Sequence, residues 1–198
     1  MKKIFLALML AIASIHYTQA QITAPAVESH SDTDARYLMG AIPTVDGHAV
    51  ITRNVTVNTE LTHARVMEIL DQWLDRCMKD ERVRFNQRLE QPSADMLHHS
   101  ICLELTFSKS FLSHDYADLS YVLILDASQP SQITMTMTRI AFKYNEGGKL
   151  TKYVAEDLIA DNIAINKKGK IIYGYKKFRI KTIDLMDELA ASLQKELQ

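Results

Sequence analysis

Cysteine occurs only twice in this chain, at Cys77 and Cys102, and that scarcity removes several kinds of chemistry at once. There is no Cys-x-x-Cys pair for redox work or zinc. No cysteine follows the N-terminal apolar run, so the attachment point of a bacterial lipoprotein is missing. A His-Glu-x-x-His pair, a phosphate-cradling glycine loop and a strand–turn–helix nucleophile elbow are absent as well. No apolar run approaches the ~20 residues that a membrane-spanning helix needs. Neither sign of charge is in surplus: 23 basic and 24 acidic side chains nearly cancel. That balance gives no broad electrostatic attraction to nucleic acid. Internal repeats and low-complexity segments are absent too.

What is present begins with a leader. Lys2 and Lys3 precede an apolar run over residues 4–15, and Thr18-Gln19-Ala20 ends in the small residue of a cleavage site. This pattern predicts a secretory signal peptide over residues 1–20 and a periplasmic or secreted product. Its removal leaves 21 basic against 24 acidic side chains, a net charge of −3. Residues 21–36 are polar and aperiodic and predict a disordered spacer. Residues 37–198 then form a single predicted domain, and the 47% hydrophobic content of the chain is enough for a real core.

The most informative stretch is residues 62–79. Val66, Ile69, Leu70, Trp73, Leu74 and Cys77 recur at helical spacing, and Arg65, Glu68, Asp71, Asp75 and Arg76 occupy the opposite face. Thr62 is the predicted N-cap, with Leu61 and Val66 at the staple positions around it. The only tryptophan lies mid-stripe, so this helix must press on something large and apolar. The alternating segments that follow supply it.

A first strand is predicted over residues 48–57, with Arg53 the exception on its inner face. Residues 82–89 are charged and weakly patterned, which suits an edge strand. Residues 98–107 and 119–125 alternate cleanly. Residues 132–144 start with Ile133, Met135 and Met137 inward, then flip phase so that Ile140, Phe142 and Tyr144 become the apolar set. A period-two pattern that slips by one residue predicts a bulge near Arg139 or a change of packing partner. A second helix is predicted over about residues 154–163, and a last one runs from after Gly174 to near the C-terminus. If the helices pack on the apolar face, the sheet separates Cys77 from Cys102, since Cys102 alternates with Ile101 and Leu103. A disulfide needs α-carbons within ~7 Å and facing side chains, so two unpaired thiols are predicted.

Four stretches carry a family resemblance. They are Tyr37-Leu38-Met39-Gly40-Ala41-Ile42-Pro43 with Val45-Asp46-Gly47, then Lys152-Tyr153-Val154-Ala155-Glu156-Asp157, then Ile165-Asn166-Lys167-Lys168. The last is Phe178-Arg179-Ile180-Lys181-Thr182-Ile183-Asp184-Leu185-Met186-Asp187-Glu188-Leu189. In order and spacing, from Tyr37 to about Leu193, they resemble a family of exported bacterial proteins of unknown function with a TBP-like fold. Val154 departs from the pattern, which has a hydroxyl cap before Ala155, and Thr151 is the substitute. The resemblance implies an α+β fold in β-α-β-β-β-β-α order: a curved antiparallel sheet with helices on one face. It implies no catalytic residue, cofactor or metal, and fold alone would not license one.

Two surfaces stand out. The uncovered sheet face would present Thr106, Ser120, Val122, Ile124, Thr134, Thr136 and Thr138, with Cys102 and Glu104 among them. Threonine ladders suit a wet antiparallel face, but Val122 and Ile124 are more apolar than water requires. The second surface is Lys167, Lys168, Lys170, Lys176, Lys177, Arg179 and Lys181, a run of cations without an acid. It reads either as a solvated face or as contact with an anionic partner such as lipid headgroups. His98-His99 and His114-Asp115 read as solvated loop histidines, because neighbours on a strand face opposite ways and cannot share a metal. The leading expectation is a non-catalytic envelope binding module that takes a protein, peptide or small ligand on the open sheet face. The alternatives are a hydrolase-type enzyme with a site assembled from loops, and an accessory protein making peripheral membrane contact through the basic patch.

Overall fold

A computed structural model of the chain describes residues 33–198; the leader, residues 1–20, and the spacer up to residue 32 lie outside the described residues. Helix α1 spans His63–Cys77, and Thr62 caps it by accepting from the Arg65 amide at 3.3 Å. Its stripe of Val66, Ile69, Leu70, Trp73 and Leu74 is buried, as the spacing predicts. The C-terminal helix α4 spans Lys176–Glu196 and buries Ile183, Met186 and Leu193 on its matching stripe. The two helices lie against each other: the Trp73 indole donates to Ser192 Oγ at 3.1 Å, and Arg76 pairs with Glu196 at 2.9 Å. The buried indole N–H thus finds a partner within a largely apolar seam.

Both helices cover one face of a six-stranded antiparallel sheet. Its strands are β3 (Ile51–Thr56), β4 (Val83–Arg88), β5 (Met96–Lys109), β6 (His114–Gln129), β7 (Gln132–Glu146) and β8 (Lys149–Val154). The order is β3-β7-β6-β5-β4, and β8 also pairs with β7. A small hairpin of β1 (Thr44–Val45) and β2 (His48–Ala49) precedes β3. The covered face collects Leu97, Ile101, Leu103 and Leu105 of β5, the odd positions Leu119 to Leu125 of β6, and Ile133, Met135 and Met137 of β7. Strict alternation in the sequence thus becomes one buried and one open side.

The phase flip in β7 has a direct cause. Arg139 adopts φ +52°, and between Ser120 and Val122 of β6 the partner residue on β7 jumps from Ala141 to Thr138. One extra residue on β7 restores Ile140 and Phe142 to the covered side. The same point is where β7 changes neighbour. Residues before the bulge pair with β3, and residues after it pair with β8. Both alternatives that the pattern left open, a bulge and a change of partner, occur together.

Several details differ from the sequence expectations. The segment before Ala155 is strand β8, so Thr151 is not a helix cap; Val154 takes that position without a side-chain bond. A single second helix does not form. Two short turns, α2 (Ala155–Leu158) and α3 (Asp161–Ala164), stand in its place. Strand β6 begins at His114, so the turn before it is only residues 110–113. Asp34 caps a 3-10 turn over Ala35–Tyr37, which places the end of the predicted spacer in ordered structure. The two cysteines are unpaired. Cys77 lies in the helical layer, where burial pushes its thiol up to about 12, and Cys102 lies on the open face.

Candidate functional site

The open face is built by neighbours in register. Ser100, Val122 and Thr138 form one row across β5, β6 and β7. His98, Ile124, Thr136 and Thr52 form the next, and Asp126, Thr134 and Asn54 the one beyond it. On the other side of the Val122 row lie Phe85, Cys102, Ser120, Ala141 and Val154. Phe85 and Val154, at the two ends of that row, are 52% and 39% exposed. The middle of the face is therefore a band of small, hydroxyl-bearing and branched side chains, with larger apolar groups at both margins, and none of the described helices covers it. Backbone polar groups here are used up in the ladder, so side chains alone determine what the face can bind.

Six of the predicted face residues, Ser120, Val122, Ile124, Thr134, Thr136 and Thr138, are contiguous. Thr106 is not. Between it and the band runs a charged row of Glu104, Asp118 and Lys143. Glu104 is the hub: Arg84 bonds it at 2.5 Å, His114 at 3.0 Å, and the Thr106 hydroxyl donates to it at 3.3 Å. Arg84 also reaches Asp118 at 3.6 Å. The Arg84 guanidinium, the His114 ring and the Thr106 hydroxyl thus tie this carboxylate into a local polar network.

The basic run does not form one surface. Arg179 is fully buried, and its guanidinium donates to the carbonyls of Tyr37, Leu38 and Ile159 and to Asp161. Burial lowers its pKa, and the Asp161 carboxylate at 2.6 Å opposes that. Lys177 is bonded to Asp115 at 2.9 Å and to the Tyr144 hydroxyl at 2.7 Å, with the rings of Phe107, Tyr144 and Phe178 around its ammonium. Burial works against that charge, but the two bonds raise its pKa above the usual lysine value. Lys176 and Lys181 are partly covered in the first turns of α4, and only Lys167, Lys168 and Lys170 project freely into solvent.

The histidine pair also differs from expectation. His98 and His99 lie within β5 rather than in a loop, and they do face opposite sides. His99 is buried among the covered-side leucines, and burial followed by the nearby Arg88 charge lowers its pKa. Among the described residues, no three histidine, cysteine or acidic side chains converge in a metal-binding group. At the far end of the sheet, a cleft of about 260 Å³ is lined by Val57, Leu61, His63, Val66 and Asp95 among others. His63 Nε2 lies 2.9 Å from Asp95 there, but both side chains are about half exposed, so this is a surface contact.

Sequence reasoning missed the strongest polar cluster. Asp161 accepts from the amides of Gly40 and Ile42, Tyr37 donates to Asp184 at 2.6 Å, and Arg53 pairs with Asp187 at 2.6 Å. With Arg179 at its centre, this network pins residues 34–42 across α4. Three of its contributing stretches are those that carry the family resemblance or adjoin them. These residues hold the described N-terminal segment against α4.

The sheet, its two covering helices and the bare opposite face define an α+β protein of TBP-like architecture. Solved structures share it. A DUF4468 family protein from Bacteroides ovatus is similar at 27% identity with a TM-score of 0.69, over 81% of this chain and 94% of that one. A TBP-like protein from Parabacteroides distasonis is similar in fold at 19% identity with a TM-score of 0.62, over 80% and 97%. No family model and no curated protein matches the chain.

Proposed function

We propose that the chain is a non-catalytic binding module of the cell envelope that takes a protein partner on the open face of the sheet. The observation that carries this reading is the uncovered band around Val122 and Ile124. It is bounded by exposed Phe85 and Val154, and the described residues in register across it are mostly small, hydroxyl-bearing or branched. An uncovered sheet face of this kind suits an extended or sheet-like partner better than an enclosed small molecule. Export rests on the predicted leader, and the mass of the protein recovered from the envelope fraction tests it: a chain beginning at Gln21 supports export.

The binding test is a pull-down from envelope extract that compares wild type with Val122→Glu/Ile124→Glu. Both side chains lie on the open side, so the variant keeps its core. Loss of specific partners in the variant supports the reading. Identical partner sets would remove the case for this face.

A further inference from the structure

The most exposed apolar side chains of the described residues are not on the sheet face but at one end of it. Residues 110–113 turn β5 into β6, closed by the Ser110 amide donating to the Ser113 carbonyl at 2.7 Å. Phe111 and Leu112 stand out from this turn at 100% and 90% exposure. The tip of the β7–β8 hairpin lies at the same end, because β6 and β7 are antiparallel with Ala117 opposite Tyr144. It contributes exposed Leu150 beside Lys149. The lead into α4 reaches that end as well, through the Lys177–Asp115 bond, and four residues before Lys177 stands Tyr173 at 89% exposure. Two loops thus carry large exposed apolar groups at this end of the sheet, and the lead into α4 brings a third beside it.

Charge separates this end from a simple sticky patch. From Thr106 to His114 the chain carries Lys109 and no acid. The acids nearby are already occupied: Asp115 by Lys177 and Tyr144, and Glu146 by the Tyr153 hydroxyl at 2.7 Å, with Lys149 opposite it in register. Exposed Lys167, Lys168 and Lys170 precede Tyr173. Exposed aromatic and aliphatic tips with Lys109 and Lys149 beside them in the chain, and Lys167, Lys168 and Lys170 shortly before Tyr173, match the chemistry of a membrane interface, where the rings sit at headgroup depth and the ammonium groups meet phosphate. Among the described residues no helix is long and apolar enough to cross a membrane, so contact through this end would be peripheral.

We infer that this end of the domain, led by Phe111 and Leu112, docks onto an anionic lipid surface. The inference does not depend on the sheet face, which lies on a different side of the strands. The test uses the chain from Gln21, because the apolar run in residues 4–15 would itself enter lipid; every member of the core cluster falls between Tyr37 and Leu197. Co-sedimentation is measured with vesicles of phosphatidylcholine alone and of equimolar phosphatidylcholine and phosphatidylglycerol. Wild type should bind the anionic vesicles, less so in high salt. Phe111→Ser/Leu112→Ser should weaken that binding by at least about tenfold with an unchanged unfolding midpoint, since neither side chain touches the core. Val122→Glu/Ile124→Glu should leave it unchanged. Equal binding by wild type and the Phe111/Leu112 variant, or no vesicle binding at all, would overturn the inference. So would a wild-type dimer that the tip variant converts to monomer, because a second copy would then be the occupant.

Discussion

Leu123 and Ile124 are neighbours in one strand, yet they belong to different environments. Leu123 points into the helical layer and is 1% exposed, while Ile124 points to the bare side between His98 and Thr136. The comparison holds for the whole sheet. The covered side is aliphatic and closed by α1 and α4, and its few polar groups are bonded or desolvated. The open side is mixed, wet and unspecialised, and its charges neutralise one another around Glu104. Stability is concentrated on one side, and the other carries the surface proposed to take a partner.

The largest effect should come from the covered layer's own charge. Arg179→Met removes the donor to three carbonyls and leaves Asp161 with an uncompensated buried charge; breaking such a pair from one side costs about 3–5 kcal/mol. Urea unfolding measures it. A loss below about 1 kcal/mol would show that residues 34–42 are not held by this network, and that the layer depends on apolar packing alone.

Next in size is the adjacent pair. Leu123→Ala should cost about 2–5 kcal/mol, in the range for truncating a buried leucine. Ile124→Ala should cost under about 1 kcal/mol, because it removes a partly wet side chain from a surface with nothing packed on it. Equal losses would contradict the picture of one bare side and point to a layer over Ile124, such as a second copy. In that case the loss at Ile124 would depend on protein concentration.

A smaller effect of the covered layer is read by pH. His99 is held below the usual histidine pKa by burial in the covered layer. Its unfolded form therefore takes up a proton first as pH falls. Stability from this site is complete above about pH 6.5, the unfolded value, and declines as pH drops below it. His99→Leu should flatten the stability–pH curve below about pH 6.5. A curve unaffected by His99→Leu would mean that water reaches the ring.

How much of this was legible follows from the same contrast. The alternation that separates the two sides is written residue by residue, so β5, β6, β7 and both long helices could be read directly. The phase slip at Arg139 was visible for the same reason. Strand β8 was not, because Lys149 to Val154 is an edge strand whose polar residues give no buried run. The Arg179–Asp161 network was hidden more deeply. Among so many lysines Arg179 reads as surface charge, and nothing local distinguishes a guanidinium that will meet carbonyls from residues 37, 38 and 159. Likewise, the rows of the open face were readable as a set of residues, but the charged row that separates Thr106 from them depends on register. Register is a long-range property of strand pairing.

The smallest expected effect tests the point where the sheet passes from one edge partner to the other. Arg139 is exposed and holds φ +52°, a conformation that costs a non-glycine residue roughly 1–2 kcal/mol. Glycine adopts it freely but adds entropy to the unfolded chain worth about 0.4–1 kcal/mol. Arg139→Gly should therefore leave stability unchanged or raise it by up to about 1 kcal/mol, with the same denaturant slope. Arg139→Val should lower stability, since a branched β-carbon fits that φ worst. If the glycine variant is instead the less stable one, the arginine side chain contributes to holding the bulge. The bulge would then owe its place to a surface contact as well as to the need to return Ile140 and Phe142 to the covered side.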